Sequence, residues 1–147
     1  MSSDAQAVLD FWFEELTPAQ WFNKDAELDR TISQRFGALH VQAAQCECYA
    51  WRQTAEGRLA EIIVLDQFSR NIYRDDARAF ATDPLALALA QEAVAAGADA
   101  ELTSEQRAFL YMPYMHSESA AIHELAMQLF DQPGLENNYD FEVRHKA

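Results

Sequence analysis

At 147 residues and 16.7 kDa the chain has the size of one domain, 1–147, and its hydrophobic half excludes wholesale disorder. Twenty-four acidic against eleven basic residues give a formal charge of −13, which argues against gripping a nucleic-acid backbone or an anionic membrane surface. The opening MSSDAQAVLD has neither a basic stretch nor a long apolar core, and no apolar run reaches the ~18 residues of a membrane span, so no leader and no membrane contact are expected.

Four glycines and four prolines, set among abundant Ala, Leu, Glu and Gln, predict an all-α chain of seven or eight helices, several paired antiparallel by short connections. Asp4 can cap a first helix to about Leu16, with Val8, Leu9, Trp12 and Phe13 near one face. Thr17-Pro18 is a cap with proline at the first helical position and starts a short turn through Trp21 and Phe22. Asp25 can cap a helix to about Cys48, carrying Leu28, Ile32, Phe36 and Leu39, with Gly37 inside it at some cost. Cys46 and Cys48 fall about 200° apart on a helix, so they neither pair nor chelate well there. Two cysteines in such a chain suggest a reducing, cytoplasmic setting.

Thr54 can open a helix with Leu59, Ile62, Ile63, Leu65 and Phe68, apolar nearly all round and therefore the most buried. Asp83-Pro84 has the form of a cap-plus-proline start, and Gly97 that of a stop. Thr103 with Gln106 makes a capping box for a helix to about Met112, and Pro113 interrupts it or opens the next. A further helix is expected over about 117–130, then a turn at Pro133-Gly134 and a last helix from about Glu136.

Two strings could carry chemistry. In Leu65-Asp66-Gln67-Phe68-Ser69-Arg70-Asn71-Ile72-Tyr73-Arg74, helical spacing puts Asp66, Arg70, Arg74 and Arg78 on one stripe, with Gln67 and Asn71 beside it. Guanidinium forks hold carboxylate and phosphate, so the stripe can form an anion site. The plainer alternative is internal pairing: Asp66 with Arg70, and Arg74 and Arg78 with Asp75, Asp76 or Asp83. In Met112-Pro113-Tyr114-Met115-His116-Ser117-Glu118, His116 can serve as a base, with Glu118 or Asp66 orienting it, or cap a helix. The H-x-E step points away from metal binding, and no nucleophile elbow, H-E-x-x-H or P-loop is present; no metal or cofactor is expected. Of the rings Trp12, Phe13, Trp21, Phe22, Phe36, Trp51 and Phe80, most are expected in the core and one or two beside a groove.

D-F-W-F at 10–13, Trp21-Phe22, Arg58-Leu59-Ala60, L-D-Q-F-x-R-N-I-Y-R at 65–74 and M-P-x-x-H-S-E at 112–118 together resemble the DUF924 family, over essentially the whole chain. The resemblance implies an all-helical, tetratricopeptide-like fold; it does not imply an activity, because the family is one of unknown function. Its motif positions here are Asp66, Gln67, Arg70, Asn71, Arg74, His116, Ser117 and Glu118. Family members usually continue past an R-H element into a segment resembling R-F-G-R-F-P-H-R-N. Here Arg144-His145 resembles its start and Ala147 is the last residue, so a groove completed by that segment would be incomplete. His123 stands where the family usually has glutamine.

Stacked helix pairs form concave faces that hold peptides or proteins, which by analogy makes a binding module the leading expectation. Its ligand would be a peptide, a protein or a small anionic molecule, engaged by Gln67, Arg70, Asn71 and Arg74 and flanked by His116 and Glu118. A small hydrolase with His116 as base is the rival, and it requires His116 and its partner within about 3 Å in one pocket. In the third reading, a homodimer, the two strings lock to each other with no cavity beside them.

Overall fold

The computed structural model describes residues 2–146, with side chains as far as Arg144. Among the described residues there are eight helices and no strand. Helix α1, Ser3–Leu9, runs on without a break through a π-helical turn, Asp10–Glu15. Helix α2 is Pro18–Phe22 and α3 is Ala26–Ala44. Helix α4, Ala55–Ile63, passes through a second π-turn, Val64–Phe68, into a last α-turn, Ser69–Ile72. Then come α5, Asp83–Ala95, α6, Ser104–His116, α7, Ala120–Phe130, and α8, Glu136–Lys146. No helix among the described residues is long and apolar enough to cross a membrane.

The caps explain most of these starts. Thr17 and Gln20 form a capping box, as do Thr103 and Gln106. Asp25 accepts from the Glu27 and Leu28 amides, and Thr54 from Gly57. Four boundaries differ from the sequence expectation. Ser2, one step outside the first turn, caps α1, so Asp4 lies within it. Thr82 is the residue before α5, which leaves Asp83 inside the first turn and its carboxylate available to other partners. Helix α3 stops at Ala44 rather than Cys48, and Cys46 adopts the left-handed conformation at φ 63°. Pro113 rides inside α6, which runs on to His116; a proline forgoes one ladder bond, and the buried ring is held by its neighbours.

Helix α4 is the inner rod, with Leu59, Ala60, Ile62, Ile63, Val64, Leu65 and Phe68 all fully buried. Each large apolar side chain taken out of water here contributes roughly 1.5–3 kcal/mol. Helices α1, α3, α5 and α6 all pack against this rod or its π-turn. Ala86, Ala90 and Ala93 give α5 a small-residue face, which lets it sit close to its neighbours. Phe11, Trp12, Phe36 and Phe68 fill the space between α1, α3 and α4 with edge-on ring contacts and one tilted pair, Phe36 with Phe68. Trp51 is buried too, whereas Phe22 and Phe80 are exposed.

Candidate functional site

The site begins with the second π-turn. Such a turn shifts the backbone ladder by one residue and leaves a carbonyl to be satisfied by side chains. The Ser69 and Thr82 hydroxyls both donate to the Leu65 carbonyl, at 2.7 and 2.8 Å. His40 Nε2 lies 2.6 Å from Ser69 Oγ in the same buried network. Burial holds the His40 pKa below the ordinary imidazole range, so at neutral pH the ring carries no charge. Sequence periodicity contained no signal for this network.

Asp66 sits in the π-turn with its carboxylate out of contact with water. It accepts from His116 Nδ1 at 2.8 Å and from Gln67 Nε2 at 3.0 Å, with Arg70 Nη1 at 3.4 Å. Residues fifty positions apart are thus joined, and the two strings singled out in the sequence meet as expected. With the carboxylate as acceptor, the imidazole proton belongs on Nδ1, and Nε2 has no protein partner among the described residues. His116 ends α6 and is half-buried, at the wall of a cleft.

Arg70 is held more firmly by Asp83 than by Asp66. Its Nη1 and Nη2 donate to the two Asp83 oxygens at 3.0 and 2.9 Å, a bidentate pair, and Nη1 also donates to the Asp66 carbonyl at 2.8 Å. Asn71 and Arg74 turn elsewhere. Asn71 Nδ2 and Arg74 Nη2 both donate to Asp29 Oδ1, at 2.9 and 3.0 Å, and Arg74 Nε donates to Oδ2 at 2.5 Å. Partial burial pushes the Asp29 pKa up, but the bonds from Arg74 and Asn71 outweigh it and hold the carboxyl below its usual range. Arg78 pairs with Asp76 on the surface. The four-membered stripe therefore does not form, and internal pairing takes its place: Arg70 reaches both Asp66 and Asp83 and Arg78 pairs with Asp76, whereas Arg74 pairs with Asp29 rather than with Asp75, Asp76 or Asp83.

A cleft of about 650 Å³ opens between the end of α4, the start of α5 and the 113–118 segment. Its polar lining is Arg70, Asp83, His116, Ser117 and Glu118. Its apolar lining is Phe80, Pro84, Leu87 and Pro113. Of the eight motif positions, the lining thus includes Arg70, His116, Ser117 and Glu118. Asp66 lies behind His116, Gln67 is buried against Asp66, and Asn71 and Arg74 tie α4 to α3. Ser117 accepts from the Ser119 amide at 3.1 Å, so its hydroxyl caps the following turn. Glu118 is exposed at the rim, with no partner among the described residues.

His123 adds support that the sequence alone did not reveal. Its Nε2 donates to the Ser117 carbonyl and its Nδ1 bonds the buried Glu142 carboxyl, which ties the wall beside His116 to α8. Glu142 lies nineteen residues from His123, and no local spacing marks the pair. Among the described residues no group of three or more His, Cys, Asp or Glu side chains is placed to hold a metal ion.

A family model described as "Bacterial protein of unknown function (DUF924)" matches residues 8–147. The structure of a protein of unknown function, ATU0120 from Agrobacterium tumefaciens, is similar at 36% identity with a TM-score of 0.87. The match covers 97% of this chain and 80% of that one. No curated protein matches the chain.

Proposed function

The chain belongs to the DUF924 family of bacterial proteins of unknown function, and we propose that it is a binding protein whose ligand site is the cleft between α4, α5 and the 113–118 segment. The observation that carries this reading is the 2.8 Å bond from His116 Nδ1 to the buried Asp66, which leaves Nε2 open at the cleft wall. A polar atom fixed by a buried partner and set beside apolar walls suits the recognition of a small molecule or one side chain of a peptide. The cleft volume of about 650 Å³ lies within the range of small-molecule sites. The cleft also speaks against a mere architectural lock, for which the two strings would close on each other without space beside them.

The test is a thermal-shift screen of neutral, anionic and cationic small molecules on the wild type and on Leu87→Trp, whose indole would fill the cleft. Compounds are expected to stabilise the wild type and to lose that effect in the variant. A screen without stabilisers, or stabilisers indifferent to Leu87→Trp, refutes the proposal.

The Asp66–His116 pair supports a second reading, hydrolysis with His116 Nε2 as the base and Asp66 holding the ring. Chromogenic esters and amides test it: His116→Gln must abolish release by the wild type. A wild type that releases nothing from any of them ends that reading.

A further inference from the structure

We propose that the ligand of this cleft is an organic cation, an ammonium group on a compact apolar body, and not the anion that an arginine-rich string suggests. The inference rests on the cleft being the ligand site and adds the charge of what enters it. The one fixed positive charge in the lining is Arg70, and Asp83 already takes it in bidentate fashion at 2.9 and 3.0 Å. An anion would have to displace that carboxylate and would stand beside Glu118, with Asp66 behind His116. The open polar positions have the opposite character. Nε2 of a neutral His116 accepts a hydrogen bond when Nδ1 donates to Asp66, and the Glu118 carboxylate is an acceptor at the rim. Three carboxylates against one guanidinium leave the site negative even when His116 is protonated. The chain's charge of −13 draws cations towards it from a distance. Phe80, 59% exposed, together with Leu87 and the exposed Pro84, gives an organic body a surface that a bare inorganic ion could not use.

Three probes sharing one ring and differing in charge test this: benzylamine, benzyl alcohol and phenylacetate. Each is titrated into the isotope-labelled full chain near neutral pH while the side-chain NMR signals of His116 and Phe80 are followed. Benzylamine should move both signals saturably and bind at least about tenfold more tightly than phenylacetate. Added salt should weaken benzylamine and leave benzyl alcohol unchanged. Glu118→Gln, on an exposed side chain, should weaken benzylamine several-fold without affecting the alcohol. Tighter binding of phenylacetate, equal binding of all three, or a Glu118→Gln variant that binds benzylamine as the wild type does would overturn the charge assignment while leaving the cleft as the site. No response at His116 or Phe80 to any probe would overturn both.

Discussion

Arg70→Ala separates a guanidinium kept for a ligand from one that holds the fold. The Arg70 and Asp83 side chains are 23% and 22% exposed, whereas Asp66 is at 1%. Removing one partner of a fully buried pair costs about 3–5 kcal/mol, and exposed pairs contribute about 1 kcal/mol or less. This pair lies between those limits. Asp66 keeps His116 and Gln67, and Asp83 can turn to water, so the expected loss is about 2–3 kcal/mol. For a chain of this length that is a fall in Tm of roughly 4–12 °C. Urea unfolding followed by tryptophan fluorescence and helical circular dichroism measures it, with an unchanged slope against urea as the sign of an intact two-state transition. Arg78→Ala is the control, because its pair with Asp76 is exposed and its removal should barely register. Combining Arg70→Ala with Asp83→Ala should cost less than the two single losses together. An Arg70→Ala protein as stable as Arg78→Ala, or a double variant showing simple additivity, would refute the structural role.

Gly57→Ala should be among the most damaging small changes in the chain. Its Cβ would stand 2.0 Å from the Trp51 carbonyl oxygen, so the loss should be on the order of 3 kcal/mol or more, and an unchanged Tm would contradict the packing described. Gly37→Ala meets nothing within 4 Å and lies in α3, so it should stabilise by roughly 0.5–1 kcal/mol in the same assay. Ser69→Ala removes one donor from the Leu65 carbonyl and the partner of His40, for an expected loss of about 1–3 kcal/mol; a change below about 0.5 kcal/mol would show that the network is not needed. The His40 pKa is depressed in the fold, so between that value and about 6.5 the unfolded chain binds the proton that the native ring refuses. Stability should therefore fall as pH drops below about 6.5, and His40→Gln should flatten the curve; equal slopes in variant and wild type would rule His40 out. The depressed carboxyl of Asp29 adds a later loss, beginning as pH falls towards the unfolded value of about 3.9.

What could be read from the sequence was local. The Thr17, Asp25, Thr54 and Thr103 caps stand where the pattern put them, because a cap is decided by residues three apart. The apolar girth of α4 marked it as the buried rod. Helix ends were less legible. Nothing in Gln45-Cys46-Glu47 resembles a stop signal, yet α3 ends just before them, and Pro113 resembles a stop and is not one. Both outcomes are set by packing. The motif strings offered Asp66 and Glu118 as alternative partners of His116, and the fold takes Asp66; they did not point to Asp29, Glu142 or the hydroxyl network, since Asp29 and Glu142 lie outside both strings and the hydroxyls satisfy a π-turn that periodicity does not reveal.

The arginine stripe is the instructive case. Four-residue spacing holds from Asp66 to Arg70 and then ends, because α4 stops at Ile72 and Asp75 turns left-handed at φ 65°. Beyond that point Arg74 is free to swing to α3 and Arg78 to its own turn. Composition was the better guide. In a chain with twenty-four acids and eleven bases, a guanidinium meets a carboxylate of the protein before it meets one from solution. The string accordingly works as a junction. Arg70 joins α4 to α5, Asn71 and Arg74 join it to α3, and Asp66 joins it to α6 through His116. Three neighbours are fixed around one short polar stretch, and the cleft lies between two of them. Its shape is set by pairs that are already satisfied, so what the open Nε2 of His116 can accept depends on charges that the fold has placed in advance.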